Sequence, residues 1–190
     1  MNNFIDSYKN RIKQKIEDVD CETVELIIKE IDRCNKDRST VYIIGNGGSA
    51  ATASHMQNDL GVCLKRRGVL NLNVLSLCDN VAGLTAISND VGYEDVFHIQ
   101  IKERIRKNDV LIALSCSGTS PNIVKAVKYA REIGTTIIGM TGFDGGELKK
   151  LSDINYHVQT EQGEYGVVED VHMILDHLIC SYLMRIIRSA

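Results

Sequence analysis

The 190 residues contain a single proline, Pro121. Set against 15 glycines, that scarcity favours long helices and glycine-built turns over proline-rich linkers. No low-complexity segment and no internal repeat is present. No apolar run approaches the roughly 20 residues that a bilayer-spanning helix needs. The opening Met1-Asn2-Asn3-Phe4-Ile5-Asp6 lacks the charged-then-apolar pattern of a signal peptide. A cytoplasmic, unprocessed protein is therefore expected. The six cysteines (Cys21, Cys34, Cys63, Cys78, Cys116, Cys180) include no CxxC pair, so reduced thiols are expected rather than a disulfide framework. A basic surplus is also missing, because the formal net charge is -3. Proteins that grip nucleic acid through its phosphates usually carry the opposite balance. Neither nucleic acid nor membrane is an expected partner.

What is present reads as one globular domain. Apolar residues make up 44% and charged residues 25%, ordinary values for a packed core with a solvated surface. Residues 4–36 contain neither Gly nor Pro. Ile5, Tyr8, Ile12 and Ile16, then Val24, Ile27, Ile28 and Ile31, follow helical spacing. Val19-Asp20 is expected to separate two helices of an N-terminal arm, which packs against either a partner subunit or its own core. Short apolar runs then predict strands at Val41–Ile44, Val69–Leu75, Val110–Leu114, Thr136–Met140 and Tyr156–Val158. Helices are expected between them over about 49–62, 80–88, 94–106 and 121–133, with a last helix over about 167–187. Strands alternating with helices predict an α/β three-layer sandwich around a parallel five-stranded sheet. A single domain over 1–190 is expected, with the arm at 1–36 and the α/β core at 37–190. Ligands of such sheets bind at the carboxyl ends of the strands.

Two loops leave those ends. The first strand runs into Gly45-Asn46-Gly47-Gly48-Ser49-Ala50-Ala51. Its glycines let the backbone turn tightly beside a ligand, and the helix that follows offers free N–H groups. A plain tight turn has the same look, as does a G-x-G-x-x-A dinucleotide turn. The latter would need an acidic residue about 20 positions on at a strand end, which is missing. The third strand runs into Ser115-Cys116-Ser117-Gly118-Thr119-Ser120-Pro121-Asn122. Ser120 stands at an N-cap and Pro121 at the first helical position. A cap needs one hydroxyl, whereas Ser115, Ser117, Thr119 and Ser120 supply four. An anion such as phosphate suits them.

Two helical clusters offer acid–base groups. His55 and Asp59 stand four residues apart and share a helix face. The last helix carries Glu169, Asp170, His172, Asp176 and His177. His98 and His157 are read as structural.

The segments Gly45-Asn46-Gly47-Gly48-Ser49, Ser115-x-Ser117-Gly118-x-Ser120, Ala86-Ile87-Ser88-Asn89-Asp90 with Gly92-Tyr93, and Thr141-Gly142-x-Asp144-Gly145-Gly146 together resemble the SIS-domain family. The match runs from about residue 5 to 187 and is most similar to its bacterial phosphoheptose isomerases. The resemblance implies a flavodoxin-like topology and a homotetramer with sites at subunit interfaces. It implies interconversion of D-sedoheptulose 7-phosphate and D-glycero-D-manno-heptose 7-phosphate, or a related heptose phosphate, through an enediol. A different sugar phosphate, or a non-catalytic SIS regulatory module of the replication-initiator-associating type, is the alternative. Asn46, Gly47, Gly48, Ser49, Asp90, Ser115, Cys116, Ser117 and Ser120 would bind substrate. His55, Asp59, Glu169 and His177 would hold zinc, with Asp59, Glu169 and His177 as the catalytic groups. Four departures from the family stand out: the segment 163–168 lacks the Arg that usually precedes the Gln, and three more are single replacements. Asp59 replaces a Glu, Glu169 replaces a Gln, and Cys63 falls where a sugar-contacting Arg is usual, with Lys65, Arg66 and Arg67 close behind.

Overall fold

A computed structural model describes residues 1–187. Two helices, α1 (Asn2–Glu17) and α2 (Cys21–Asp37), open the chain. Asp20 separates them, its carboxylate accepting from the backbone N–H groups of Glu22 and Thr23, which caps the new helix. After β1 (Thr40–Gly45) come α3 (Gly48–Met56), a π-helical segment (Gln57–Cys63) and the short α4 (Leu64–Arg66). Then follow β2 (Asn73–Ser76), α5 (Val81–Asp90), a 3-10 turn (Tyr93–Asp95), α6 (His98–Ile101) and β3 (Val110–Ser115). The chain continues through α7 (Pro121–Ile133), β4 (Thr136–Phe143), α8 (Gly146–Leu151), β5 (Ile154–Gln159) and α9 (Tyr165–Ile187).

The five strands are all parallel, in the order β2-β1-β3-β4-β5. This is the expected flavodoxin-like, three-layer arrangement. Successive residues of a strand point to opposite faces, and both faces are apolar. Val41, Ile43, Val110 and Ile112 meet α2, α3 and α9 on one side. Tyr42, Ile44, Leu111 and Ala113 meet α7 and α8 on the other. β1 lies between β2 and β3, so the strand order reverses there. The crevice at that reversal is where such sheets bind ligands.

Several expectations need adjusting. The strand expected over 69–75 covers only Asn73–Ser76, although Leu70 and Leu72 are buried. Its partner β1 begins at Thr40, opposite Asn73, so earlier residues have no ladder to join. The helix expected over 94–106 is two short pieces, and Glu103 has a φ of +59° that no helix continues through. Ile101 and Ile105 still face the core, which explains the helical spacing in the sequence. α8 went unanticipated; it starts on the Gly145-Gly146 turn, where both residues have positive φ. Of the two arm helices, α2 buries Val24, Ile27, Ile31 and Cys34 and is a full member of the sandwich. α1 buries none of its residues. It lies against α9 through a Tyr8–Asp170 hydrogen bond of 2.6 Å and an Arg11–Glu164 ion pair.

His172 shows how tightly α9 sits on β4. Its ring is 1% exposed and its Nε2 lies 3.3 Å from the Thr141 carbonyl. Burial pushes the imidazole down from 6.5 to about 4, because the charged form loses its water. Between those two values the unfolded chain binds a proton that the folded chain refuses. This residue's contribution is therefore complete above about pH 6.5 and is lost as pH falls toward 4. The full span corresponds to about 3 kcal/mol. Urea unfolding across that range should show a steeper loss of stability in wild type than in His172→Gln. Equal slopes would remove His172 as the cause.

Candidate active site

β1 and β3 run side by side in register from Val41↔Val110 to Gly45↔Leu114. Their outgoing loops are therefore neighbours. In the first, Gly47 adopts a φ of +54°, which a side chain would strain. A Cβ on Gly48 would fall 2.2 Å from the Glu169 carboxylate, so that glycine lets α9 come down onto the loop. In the second, Gly118 has a φ of +64°, and its N–H donates to Ser115 Oγ at 3.1 Å. Pro121 stands first in α7, as expected. Ser120 is its N-cap residue, but its hydroxyl makes no capping bond and lies 3.4 Å from Ser115 Oγ. That hydroxyl and the open helix end both remain available to an anion. Ser117 Oγ accepts from the Thr119 hydroxyl at 3.1 Å.

A pair of amides joins the loops. Asn46 Nδ2 donates to Asn122 Oδ1 and Asn122 Nδ2 donates to Asn46 Oδ1, each at 2.9 Å. Tyr93 adds its hydroxyl to Asn46 Oδ1 at 2.8 Å. Asn46 thus braces the crevice, while Asn122 and Tyr93 are site residues that sequence reasoning missed. The available signal was the position of Asn122 beside Pro121 in the first turn of α7. Asp90 lies exposed at the end of α5, two residues before Gly92, and pairs with the neighbouring Asn89. Cys116 is buried, and burial with the charge of Glu169 pushes its thiol up to about 11. It remains a neutral thiol rather than a nucleophile.

The imidazole–carboxylate cluster forms between α3, the π-helical segment and α9. His55 Nε2 lies 3.0 Å from His177 Nε2 and 3.6 Å from Asp59 Oδ2. Asp59 sits within the π-helical segment; such wide turns recur at functional sites. One donor from each of His55, Asp59, Asp176 and His177 lies within 4.8 Å of all the others. Three of these were expected together. Glu169 stands apart, beside Gly48 and Cys116, and burial raises its pKa with Asp170 adding to the effect. Asp176 takes the fourth place. It is fully buried, and neither carboxylate oxygen has a hydrogen-bond partner. Burial, reinforced by the charge of Asp59, pushes it up to about 7. Two imidazole nitrogens and two carboxylates converging on one point can hold a divalent cation. The Arg67 guanidinium folds back onto the Cys63 thiol.

Paired glycine and hydroxyl loops at the switch point of a 2-1-3-4-5 sheet define an α/β domain that binds a phosphorylated small molecule. The chain belongs to the SIS domain family, whose profile matches residues 3–142. A phosphoheptose isomerase from Helicobacter pylori (strain Shi470) is 37% identical, over 86% of this chain and 81% of that protein. Another, from Aliarcobacter butzleri, is 39% identical over 78% and 77%. The structure of a phosphoheptose isomerase from Neisseria gonorrhoeae superposes with a TM-score of 0.81 at 30% identity, covering 96% of this chain and 95% of that one.

Breaking the amide brace should loosen the crevice. Asn122→Ala is expected to lower stability by about 1–3 kcal/mol, because it strands the buried side of Asn46. It should also weaken binding of inorganic phosphate. Urea unfolding and a phosphate titration measure the two effects, and no change in either would contradict the brace.

Proposed function

We propose that this protein is an aldose–ketose isomerase that interconverts D-sedoheptulose 7-phosphate and D-glycero-D-manno-heptose 7-phosphate. The observation that carries the reading is the cluster of His55, Asp59, Asp176 and His177 beside two phosphate-type loops. A module that only senses a phosphosugar needs the loops and has no use for the cluster. The kinship with phosphoheptose isomerases along most of the chain supports the same choice of sugar.

In this reading Ser49, Ser115, Ser117 and Ser120 receive the phosphate with the N-terminal N–H groups of α3 and α7. The glycines 47 and 48 let the sugar approach the backbone, and Asp90 and Asn46 orient its open chain. The reaction moves one hydrogen between neighbouring carbons. A carboxylate accepts the proton from C1 of the ketose, and the C2 oxygen gains a proton, giving the enediol. The C1 hydroxyl then gives up its proton and C2 takes one back, leaving the aldose. Asp59 is assigned the carbon-bound proton, with Glu169 at the loop end sharing that task. His177 serves the oxygens. The donor set of the cluster and the orphaned oxygens of Asp176 fit zinc, the cofactor proposed here. When bound, it would supply a Lewis acid for the carbonyl oxygen.

We place the enzyme in the cytoplasm. Among the described residues no helix is long and apolar enough to cross a membrane. We also propose a homotetramer with sites near subunit contacts, because Phe4, Ile5 and Ile16 on α1 stand exposed and suit burial by another copy. Sedimentation should give four chains per particle, and a monomer would refute this.

Turnover of sedoheptulose 7-phosphate, followed with a product-specific assay, tests the activity. Asp59→Asn and His177→Ala should each lower kcat by at least about 100-fold while phosphosugar binding persists. Unchanged turnover in both would sink the assignment. Binding of the sugar phosphate without turnover by wild type would point to a sensing module instead.

A further inference from the structure

The opposite end of the sheet carries a cavity that the isomerase chemistry leaves unused. It opens where β1, β2 and β3 begin and encloses about 560 Å³, a volume within the range of small-molecule sites. The six-residue strands β1 and β3 separate it by roughly 17 Å from the phosphate-type loops at their far ends. Its floor is fixed from inside. The buried Asp109 carboxylate accepts from the backbone N–H groups of Thr40 and Arg106, each at 2.8 Å. The Thr135 hydroxyl and the Arg33 guanidinium donate to the carbonyls of Arg106 and Asn108, each at 3.0 Å. These partners hold the two loops that enter β1 and β3 in fixed positions.

Four cations line this framework: Arg38, Arg104, Arg106 and Lys107. All four residues are exposed, and among the described residues no carboxylate forms an ion pair with any of them. Two of them follow from backbone that ordinarily favours glycine. Arg38 ends α2 with a φ of +54°, and Glu103 turns at +59° immediately before Arg104. The Tyr129 hydroxyl accepts from the Glu103 N–H at 2.9 Å and steadies that turn. Arg104 then lies over the Tyr42 ring, 5.9 Å from its centre, a favourable place for a guanidinium. An arginine held where glycine would be free of strain points to a use for its side chain. The opposing charge is smaller. Asp37 is matched by Arg33 at 3.3 Å, which leaves Asp109. The carboxyl ends of α2 and α7 also reach this side, and together they count as about one negative charge. The surplus is about two positive charges, in a chain whose net charge is -3.

We propose that this cavity is a second anion site, which takes a small molecule carrying two linked phosphates. Arginine suits the task, because its planar fork meets phosphate oxygens two at a time. Arg38 comes from the loop before β1, whereas Arg104, Arg106 and Lys107 come from the segment before β3. A diphosphate can meet both loops at once, and a single phosphate leaves most of the cavity and half of its cations unused. The site is separate from the isomerase reading and stands whichever sugar the protein turns over.

Full-length protein is titrated by calorimetry with sodium pyrophosphate, with ADP and with inorganic phosphate, at low and at physiological ionic strength. The series is repeated in Ser120→Asp, whose added charge closes the loop before α7 to anions. Pyrophosphate should still bind that variant, and inorganic phosphate should bind at least about tenfold more weakly, having fewer charged hydrogen bonds to make. Affinity should fall as ionic strength rises, since the cations are exposed. Arg104→Gln and Arg106→Gln in the same background should each weaken pyrophosphate about tenfold, the worth of a charged hydrogen bond. Arg38→Gly should weaken it as well, without lowering the thermal midpoint, because glycine adopts the positive φ freely. That variant separates lost binding from lost folding. Tighter binding of ADP than of pyrophosphate would identify a nucleotide as the source of the diphosphate, and equal binding a free diphosphate. Loss of pyrophosphate binding in Ser120→Asp would overturn the proposal by assigning the anion to the isomerase site. Unchanged affinity in the three arginine variants would overturn it too, as would inorganic phosphate binding as tightly as pyrophosphate.

Discussion

The ladder between β1 and β3 is the constraint from which the rest of the site follows. Five residue pairs hold the two strands in register up to Gly45 and Leu114, so both strands release their loops at the same level. Each loop then starts a helix, α3 or α7, on opposite faces of the sheet. The two positive helix ends converge on the gap between the strands. The Asn46–Asn122 amide pair spans that gap with both polar groups of each side chain used. A phosphate drawn there meets hydroxyls and N–H groups that are already positioned.

The second half of the site depends on how closely α9 packs. Gly48 removes the one Cβ that would hold the helix away from the glycine loop. α3 and α9 then run alongside one another, which sets Glu169 at the loop and His177 two turns on beside His55. The π-helical segment follows directly after α3. Its wider turns let Leu60 stay in the core while Asp59 joins the cluster. Packing of this kind puts carboxylates into a poorly hydrated space, where their mutual repulsion is strong. Asp176 bears that cost most visibly, its two oxygens buried without a hydrogen-bond partner.

Much of this was legible in the sequence. Short continuous apolar runs marked β1, β3 and β4, because strands buried on both faces leave no room for polar alternation. Ser120-Pro121 marked the start of α7, since proline suits the first helical turn. The edges were harder to read. Leu70 and Leu72 look like strand residues because they are buried, yet a strand also needs a partner, and β1 begins too late to supply one. Ile101 and Ile105 keep helical spacing through a stretch that turns at Glu103. In both places burial alone set the pattern, and burial does not distinguish a ladder or a helix from a packed turn.

The sequence by itself determined the fold class, the two loops and three members of the cluster, His55, Asp59 and His177. Local rules suffice for these, because glycine, proline and hydroxyl signals act over a few residues and helical spacing over two turns. Only the tertiary structure decided the fourth member. Glu169 and Asp176 lie on the same helix, and their spacing from His177 in sequence does not say which one meets His55. That choice follows from how α9 lies along α3. The helix carries Glu169 to the loop and turns Asp176 inward against Asp59, where its charge is shielded from water.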